Sequence, residues 1–158
     1  MFVTVDQLLQ DVETLPHAAR LQAMIALGRR SQTDAEIAAL LNELAQGEWY
    51  QRFLALNACF GSANAAQVLA ALDDPSRILR GLALRLLPLV CSPAQLQQAL
   101  TTVPSALYLP LFWKLSKHGH SALIDAFVEQ LSPDDPQFCK LLCFASETVV
   151  LRLSLIHI

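Results

Sequence analysis

The chain has 158 residues, of which 54% are hydrophobic and 16% are charged, and its formal net charge is −3. This length is enough for one domain with a buried core, and the small negative charge argues against binding to nucleic acid or another polyanion. No apolar run approaches the roughly 18 residues of a membrane span, so we expect no membrane protein and attribute the apolar excess to an uncovered helical face. The first ten residues lack a basic segment and a long apolar segment, so the sequence predicts no signal peptide and a cytoplasmic location.

Signals for helix starts and stops recur along the whole chain, with short connections between them. Capping boxes at Thr4 and Thr33 each predict a helix start, and so do the pairs Asp74-Pro75 and Ser92-Pro93. The predicted helices cover about 4–15, 16–30, 33–47, 49–60, 64–72 and 74–90, and later ones open near Ser92, Ser105, Ser121 and Ser132 or Asp135. Gly61-Ser62 is interpreted as a helix break. No strand pattern is found, so the predicted fold class is all-α.

The predicted helices form pairs that repeat along the chain. A leucine ends the first helix of each pair, at Leu15, Leu44, Leu72, Leu100 and Leu131, which are 29, 28, 28 and 31 residues apart. The second helix carries Arg-x-x-Ala at Arg20, Arg52 and Arg80, with a weaker copy at Lys140. The fourth unit, from Leu109, departs from the pattern, since it has no Arg and Phe112 takes the small-residue position; Pro110 is expected to restart or kink its helix. The repeat predicts an α-solenoid of about five stacked helical hairpins; the alternative is a non-repetitive helical bundle.

Packing gives the Arg-x-x-Ala pattern a physical meaning. The alanine lets the second helix approach its partner closely, and leucines three and four positions away fill the space beside it. The arginine lies one turn earlier, where it can reach a carboxylate in a neighbouring turn.

The stretch DDPSRILRGLALRLL, from Asp73 to Leu87, resembles a HEAT repeat of the short class first named for phycobilisome lyases. The matching positions are Asp74, Pro75, Leu79, Arg80, Ala83 and Leu87. The resemblance implies a right-handed HEAT-like or armadillo-like superhelix. It also implies an Asp and Arg ladder between adjacent turns, with Arg20, Arg52, Asp74 and Arg80 as its members here.

The last six residues, LSLIHI, are the translation of CTGTCTCTTATACACATC, which matches the transposase adapter used to prepare sequencing libraries. We therefore expect residues 1–152 to be the N-terminal part of a repeat solenoid and residues 153–158 to be a non-native tail. The alternative is a genuine short apolar tail that packs on the last helix.

The sequence contains no recognisable catalytic or cofactor motif, so we predict no enzyme activity and no cofactor for this chain. Its four cysteines, Cys59, Cys91, Cys139 and Cys143, are interpreted as reduced and buried in the core. Cys139 and Cys143 lie near His118 and His120, but their spacing fits no standard zinc pattern, so no metal site is predicted.

A candidate binding face combines Trp49 and Asn57 with Arg77 and Arg85, which occupy matching positions of successive second helices. An ordinary solvated helix face is the alternative. With this face, the predicted function is a protein–protein interaction scaffold whose partner is a protein or peptide. The alternatives are a bilin lyase or isomerase-like subunit, suggested by the family name, and the regulatory repeats of a larger enzyme. Self-association through an uncapped last repeat is also expected.

Overall fold

The structure, a computed structural model, describes residues 4–156. All regular secondary structure in this part of the chain is helical, with eleven α-helices, two 3₁₀ turns and no strand, which confirms the all-α prediction. None of these helices is both long and apolar enough to cross a membrane. The chain divides into two compact units, residues 1–90 and residues 91–158, and each is described by itself.

The first unit contains six α-helices, arranged as three consecutive hairpins. They are α1 (Val5–Glu13), α2 (His17–Arg30), α3 (Ala35–Leu44), α4 (Trp49–Ser62), α5 (Ala65–Ala70) with a 3₁₀ turn (Ala71–Asp73), and α6 (Arg77–Val90). Within each hairpin the two helices contact each other. Between hairpins, α1 contacts α3, while α2 contacts α4 and α4 contacts α6.

Two helix starts differ from the sequence prediction. The cap of α3 is Asp34 and not Thr33, because the Asp34 carboxylate accepts hydrogen bonds from the backbone N–H groups of Glu36 and Ile37, at 3.1 and 3.3 Å. Helix α6 begins at Arg77 and not directly after Asp74. There the Asp74 carboxylate accepts the N–H of Ser76 at 2.8 Å, which holds the chain in a turn before the helix.

Glycines bring α2 and α4 into direct backbone contact. A Cβ atom on Gly28 would collide with the carbonyl oxygen of Ala58, and one on Gly61 would collide with the carbonyl oxygen of Ile25. The sequence predicted a helix break at Gly61, but Gly61 lies inside α4. The helix ends at Ser62, before Ala63, whose φ of 53° is left-handed. The close approach expected of alanine is here supplied by glycine.

Helix α4 is the most enclosed helix of the first unit, because it contacts α2, α3, α5 and α6. Its six consecutive residues Leu54–Cys59 are all buried. A helix packed on one side buries only a stripe, so an unbroken buried run indicates neighbours on several sides. Helix α4 thus forms the centre of the unit, beside a core that includes Leu8, Met24 and Leu44.

The second unit contains α7 (Pro93–Thr102), a 3₁₀ turn (Ser105–Leu107), α8 (Tyr108–Lys117), α9 (Ser121–Gln130), α10 (Phe138–Leu142) and α11 (Glu147–Ile156). Helix α7 contacts α9 and α8 contacts α10, while α9 also contacts α8, α10 and α11. Helix α11 continues through residues 153–156 of the expected non-native tail, and residues 157 and 158 lie outside the described residues.

An aromatic cluster organises the second unit. Phe112, which takes the small-residue position of the repeat, is fully buried and its ring lies 5.3 Å from that of Phe127 and 6.3 Å from that of Phe144. Tyr108 joins the cluster edge-on, 5.4 Å from Phe127. The departure of this repeat from Arg-x-x-Ala thus replaces close helix approach with aromatic packing. Pro110 lies in the first turn of α8, where its missing N–H leaves no bond unmade.

The glycines of α4 and α6 give a matched test of the helix contact. We expect Gly61→Ala to lower the free energy of unfolding by about 1–3 kcal/mol, because its methyl group would push against the backbone of α2. Gly81→Ala makes the same chemical change in α6, where no atom lies within 4 Å of the new Cβ, and should raise stability by about 0.5–1 kcal/mol. Urea denaturation of both variants measures the difference, and effects of equal sign would contradict the helix contact.

Candidate interaction surface

Three equivalent arginines tie each second helix to the turn that precedes it. All three lie near the start of their helix and donate to backbone carbonyl oxygens that end the first helix or form the turn. The pairs are Arg20 with Leu15 at 2.7 Å and Glu13 at 2.8 Å, Arg52 with Gly47 at 2.8 Å, and Arg80 with Asp74 at 2.7 Å and Pro75 at 3.0 Å. The repeated arginine therefore caps its own hairpin.

Two of these arginines also reach the next hairpin. Arg20 donates to the hydroxyl of Tyr50 at 2.9 Å, and Arg52 binds both carboxylate oxygens of Asp74, at 2.9 and 3.3 Å. The side-chain carboxylate of Asp74 thus pairs with Arg52 of the preceding hairpin. Arg80 binds the backbone carbonyl of Asp74 and not its carboxylate. The two side chains of the Arg52–Asp74 pair are 28% and 11% exposed, so the pair is partly shielded from water.

The environment of Asp74 favours its charged form. Burial by itself raises the pKa of this carboxyl, but the hydrogen bonds from Arg52 and Ser76 and the positive charges of Arg52 and Arg80 together lower the pKa below its usual value. The charged carboxylate therefore belongs to the contact between hairpins.

The structure separates the four residues of the predicted binding face. Trp49 is 51% exposed at the start of α4, where its ring meets Tyr50 edge-on at 5.7 Å. Asn57 does not line an open face, because it is only 8% exposed and its amide donates to the carbonyl oxygen of Phe53 at 2.8 Å. The neighbours of α4 cover the middle of this helix, which the matching repeat positions alone do not reveal.

Arg77 and Arg85 are both exposed on α6, and neither makes an ion pair or a side-chain hydrogen bond within residues 4–156. Gly81 lies between them, one turn from each. Two exposed aliphatic residues flank this row, Ile78 at 59% and Leu89 at 50% exposure. We call these five residues the α6 stripe (Arg77, Ile78, Gly81, Arg85 and Leu89).

Gly81 is the residue of the stripe that the fold itself does not require. Gly28 and Gly61 allow the helix contact, and Gly119 has a φ of 78°, whereas Gly81 lies in mid-helix with open space where a Cβ would be. A glycine inside a helix lowers stability by about 0.5–1 kcal/mol relative to alanine. Sequence reasoning placed Gly81 on the face of the two arginines but gave it no role.

Charge is segregated between the first and second helices of the first unit. Helices α2, α4 and α6 contain no aspartate or glutamate, and they carry every basic Arg or Lys of residues 1–90, namely Arg20, Arg29, Arg30, Arg52, Arg77, Arg80 and Arg85. The acidic residues lie on α1, on α3 and in the turns. The side formed by the second helices is therefore the basic side of this unit.

A separate cavity of about 290 Å³ opens beside α4. Its rim carries uncharged polar groups, including Gln32, Asn42 and Asn64, and its floor includes Ala55 and Cys59. Burial raises the pKa of the Cys59 thiol to about 12, and a hydrogen bond with the backbone of Cys59 itself lowers the pKa by a smaller amount. The thiol therefore stays protonated near neutral pH. This cavity is apolar at its base and carries no group poised for chemistry.

The cysteines divide into two classes, which corrects the expectation that all four are buried. Cys59 and Cys91 are buried, whereas Cys139 and Cys143 are exposed, and all four are free thiols. Helix α10 has only five residues and buries Phe138 and Leu141, which leaves both cysteines outside. Within residues 4–156, no group of three or more His, Cys, Asp or Glu side chains is placed to hold a metal ion.

The Arg52–Asp74 pair predicts a defined dependence of stability on pH. Because the folded-state pKa of Asp74 is lowered, its contribution is fully present above the unfolded value of about 3.9 and is lost as the pH falls through the folded value. We expect Asp74→Asn to reduce the free energy of unfolding by about 1–2 kcal/mol at pH 7 and to reduce its slope against pH below 4.

Asp73→Asn is the matched control, since Asp73 is adjacent to Asp74 and exposed, and its side chain makes no hydrogen bond or ion pair within the described residues. Denaturant unfolding at several pH values compares the two. Equal losses for both variants at pH 7 would contradict the role of the Arg52–Asp74 pair.

Thiol labelling tests the burial of the cysteines. Under native conditions at pH 8 we expect iodoacetamide to modify Cys139 and Cys143 at least about tenfold faster than Cys59 and Cys91, because only exposed thiolates react readily. Peptide mass mapping over time reports each site. Rapid native modification of Cys59 would show that α4 is not enclosed as described.

Comparison of the chain with protein-family models, curated proteins and solved structures finds no significant match.

Proposed function

We propose that this chain is a protein–protein interaction scaffold, built from HEAT-like repeats that stack as a right-handed α-solenoid. The second helix of each hairpin contributes to one side of the stack, and that side contacts the partner. The chain itself carries out no reaction in this proposal. The single observation that carries it is the α6 stripe, which exposes two large aliphatic residues beside two arginines without an ion pair.

Helix packing supports the repeat architecture. In the first unit, α1 contacts α3, and α2 and α6 both contact α4, so first helices meet first helices and second helices meet second helices. The second unit has the same alternation, since α7 contacts α9 and α8 contacts α10. Stacked hairpins produce this skip-one pattern of neighbours, and an irregular bundle has no reason to produce it twice.

Hydrogen bonds at both ends of α2 and α4 indicate that these second helices run side by side in the same direction. Arg20, near the start of α2, binds Tyr50 at the start of α4. Beyond the end of α2, the Gln32 amide donates to the carbonyl oxygen of Gly61, near the end of α4, at 3.4 Å. Such alignment places equivalent positions of successive repeats in register.

The surface chemistry supports binding to a protein or peptide. Exposed tryptophan, leucine, isoleucine and arginine are residues that interfaces use for contact area and for specificity. Here they belong to helices fixed by the core, so little ordering would be needed upon binding, and a preformed surface loses less entropy than a flexible one.

Selection from a random peptide library, with the full-length chain immobilised, tests the proposed function against the enzymatic alternative. We expect recurrent peptides to be enriched and to compete with one another for one surface, while added bilin keeps the absorbance spectrum of the free pigment. Absence of any enriched peptide would contradict the scaffold proposal, and a new visible absorbance band on adding bilin would support the enzymatic alternative.

A further inference from the structure

We propose that the α6 stripe binds an acidic peptide segment of the partner, which lies along α6 over Gly81 and places carboxylates on Arg77 and Arg85. The inference rests on the proposed function, because it names the chemistry of the partner that the scaffold would bind. Three independent features of the stripe support it: its charge, its open glycine and its aliphatic edges.

The two arginines of the stripe form no ion pair within the described residues; the nearest acidic residues in the sequence, Asp73 and Asp74, precede the helix, and Asp74 pairs with Arg52. Arg80, the third arginine of α6, is occupied by the carbonyl oxygens of Asp74 and Pro75, whereas Arg77 and Arg85 extend into solvent without an acceptor. No acidic residue lies on α6 or on the neighbouring second helix α4. Arg77 also occupies the first residue of the helix, where the helix dipole disfavours a cation unless an anion is bound nearby.

Gly81 gives a ligand backbone room to lie against the helix. No atom lies within 4 Å of the position of its missing Cβ, so neither packing nor backbone geometry of the free chain explains a glycine there. Close approach of another main chain is a use that mid-helix glycine serves. The arginines one turn on either side would then contact the ligand before and after it passes Gly81.

The aliphatic residues at the edges of the stripe add a requirement for apolar side chains in the ligand. Ile78 and Leu89 are more than half and about half exposed, and they lie at opposite ends of the stripe. A bound segment would cover them with apolar side chains, so the best ligands carry aliphatic or aromatic residues next to their carboxylates. Polyglutamate alone would leave the exposed side chains of Ile78 and Leu89 in contact with water.

The spacing of the arginines sets the spacing of the carboxylates. Arg77 and Arg85 are eight residues apart, which is about 12 Å along a helix axis. An extended peptide advances about 3.3 Å per residue and alternates its side chains between two sides, so carboxylates four positions apart span this distance on the side that faces the helix. A small residue between them would lie over Gly81.

These features favour a peptide over a nucleic acid. A nucleic acid is held by a long row of cations that contact successive phosphates. The stripe has two unpaired arginines, and the intervening and flanking positions are glycine and aliphatic residues.

The peptides selected by the full-length chain test the inference by their composition and by their response to substitutions. We expect enrichment of Asp and Glu four positions apart beside an apolar residue. Affinity for the best acidic peptide, measured by fluorescence anisotropy, should fall at least about tenfold in Gly81→Gln and in the double variant Arg77→Gln/Arg85→Gln. It should also fall as salt is raised.

Arg29→Gln/Arg30→Gln is the control for charge, because it removes two positive charges from exposed positions of α2, where Arg30 forms an exposed ion pair with Asp34 at 3.8 Å, and it should change affinity less than about twofold. Gly81→Gln fills open space, so its melting temperature should not fall, and binding can be compared between folded proteins. A thermal melt of every variant checks this.

The outcomes separate the two proposals. Selected peptides that are not acidic, or acidic peptides whose affinity is unchanged in both α6 variants, would overturn this inference and leave the scaffold function standing. Absence of any selected peptide would overturn both. A labelled single-stranded RNA or DNA that binds through Arg77 and Arg85 while acidic peptides do not would also overturn it, since the partner would then be a nucleic acid.

Discussion

The backbone contact between α2 and α4 is the constraint on which the first unit depends. Each helix presents a glycine to a carbonyl oxygen of the other, Gly28 to Ala58 and Gly61 to Ile25, so the helix axes lie closer than any side chain would permit. This approach fixes α4 with α2 on one side, while α3, α5 and α6 cover the rest of it. The burial of Asn57 and Cys59 follows from that enclosure, and α6 keeps an exposed stripe of five residues.

Electrostatics divides the arginines of this unit into two groups. Arg20, Arg52 and Arg80 donate to backbone carbonyl oxygens, and Arg52 joins its hairpin to the next one through Asp74. The Arg52–Asp74 pair is partly shielded from water, so removal of one partner would leave the other charge less well hydrated than at the surface. Arg77 and Arg85 make no such bonds within the described residues and stay exposed on α6.

The sequence predicted the helices well because its signals are local. Caps, prolines and the repeated leucines act within a few residues, and the all-α class and the bounds of α2 follow from them. The predicted helix break at Gly61 was wrong, because a glycine indicates a break unless the position of the neighbouring helix is known. Asn57 was assigned to an open face because register gives the direction of a side chain but not what covers it. Cys139 and Cys143 were expected in the core because helical spacing does not reveal that α10 has only five residues.

Native-state hydrogen exchange tests most directly whether α4 is the enclosed centre of stacked hairpins. Buried, multiply contacted helices exchange only through global unfolding, while peripheral helices open locally at lower free energy. We expect the amides of residues 54–59 to exchange at the global free energy of unfolding of the first unit, and more slowly than the amides of α1. Exchange of these amides through local opening, as fast as that of α1, would contradict it.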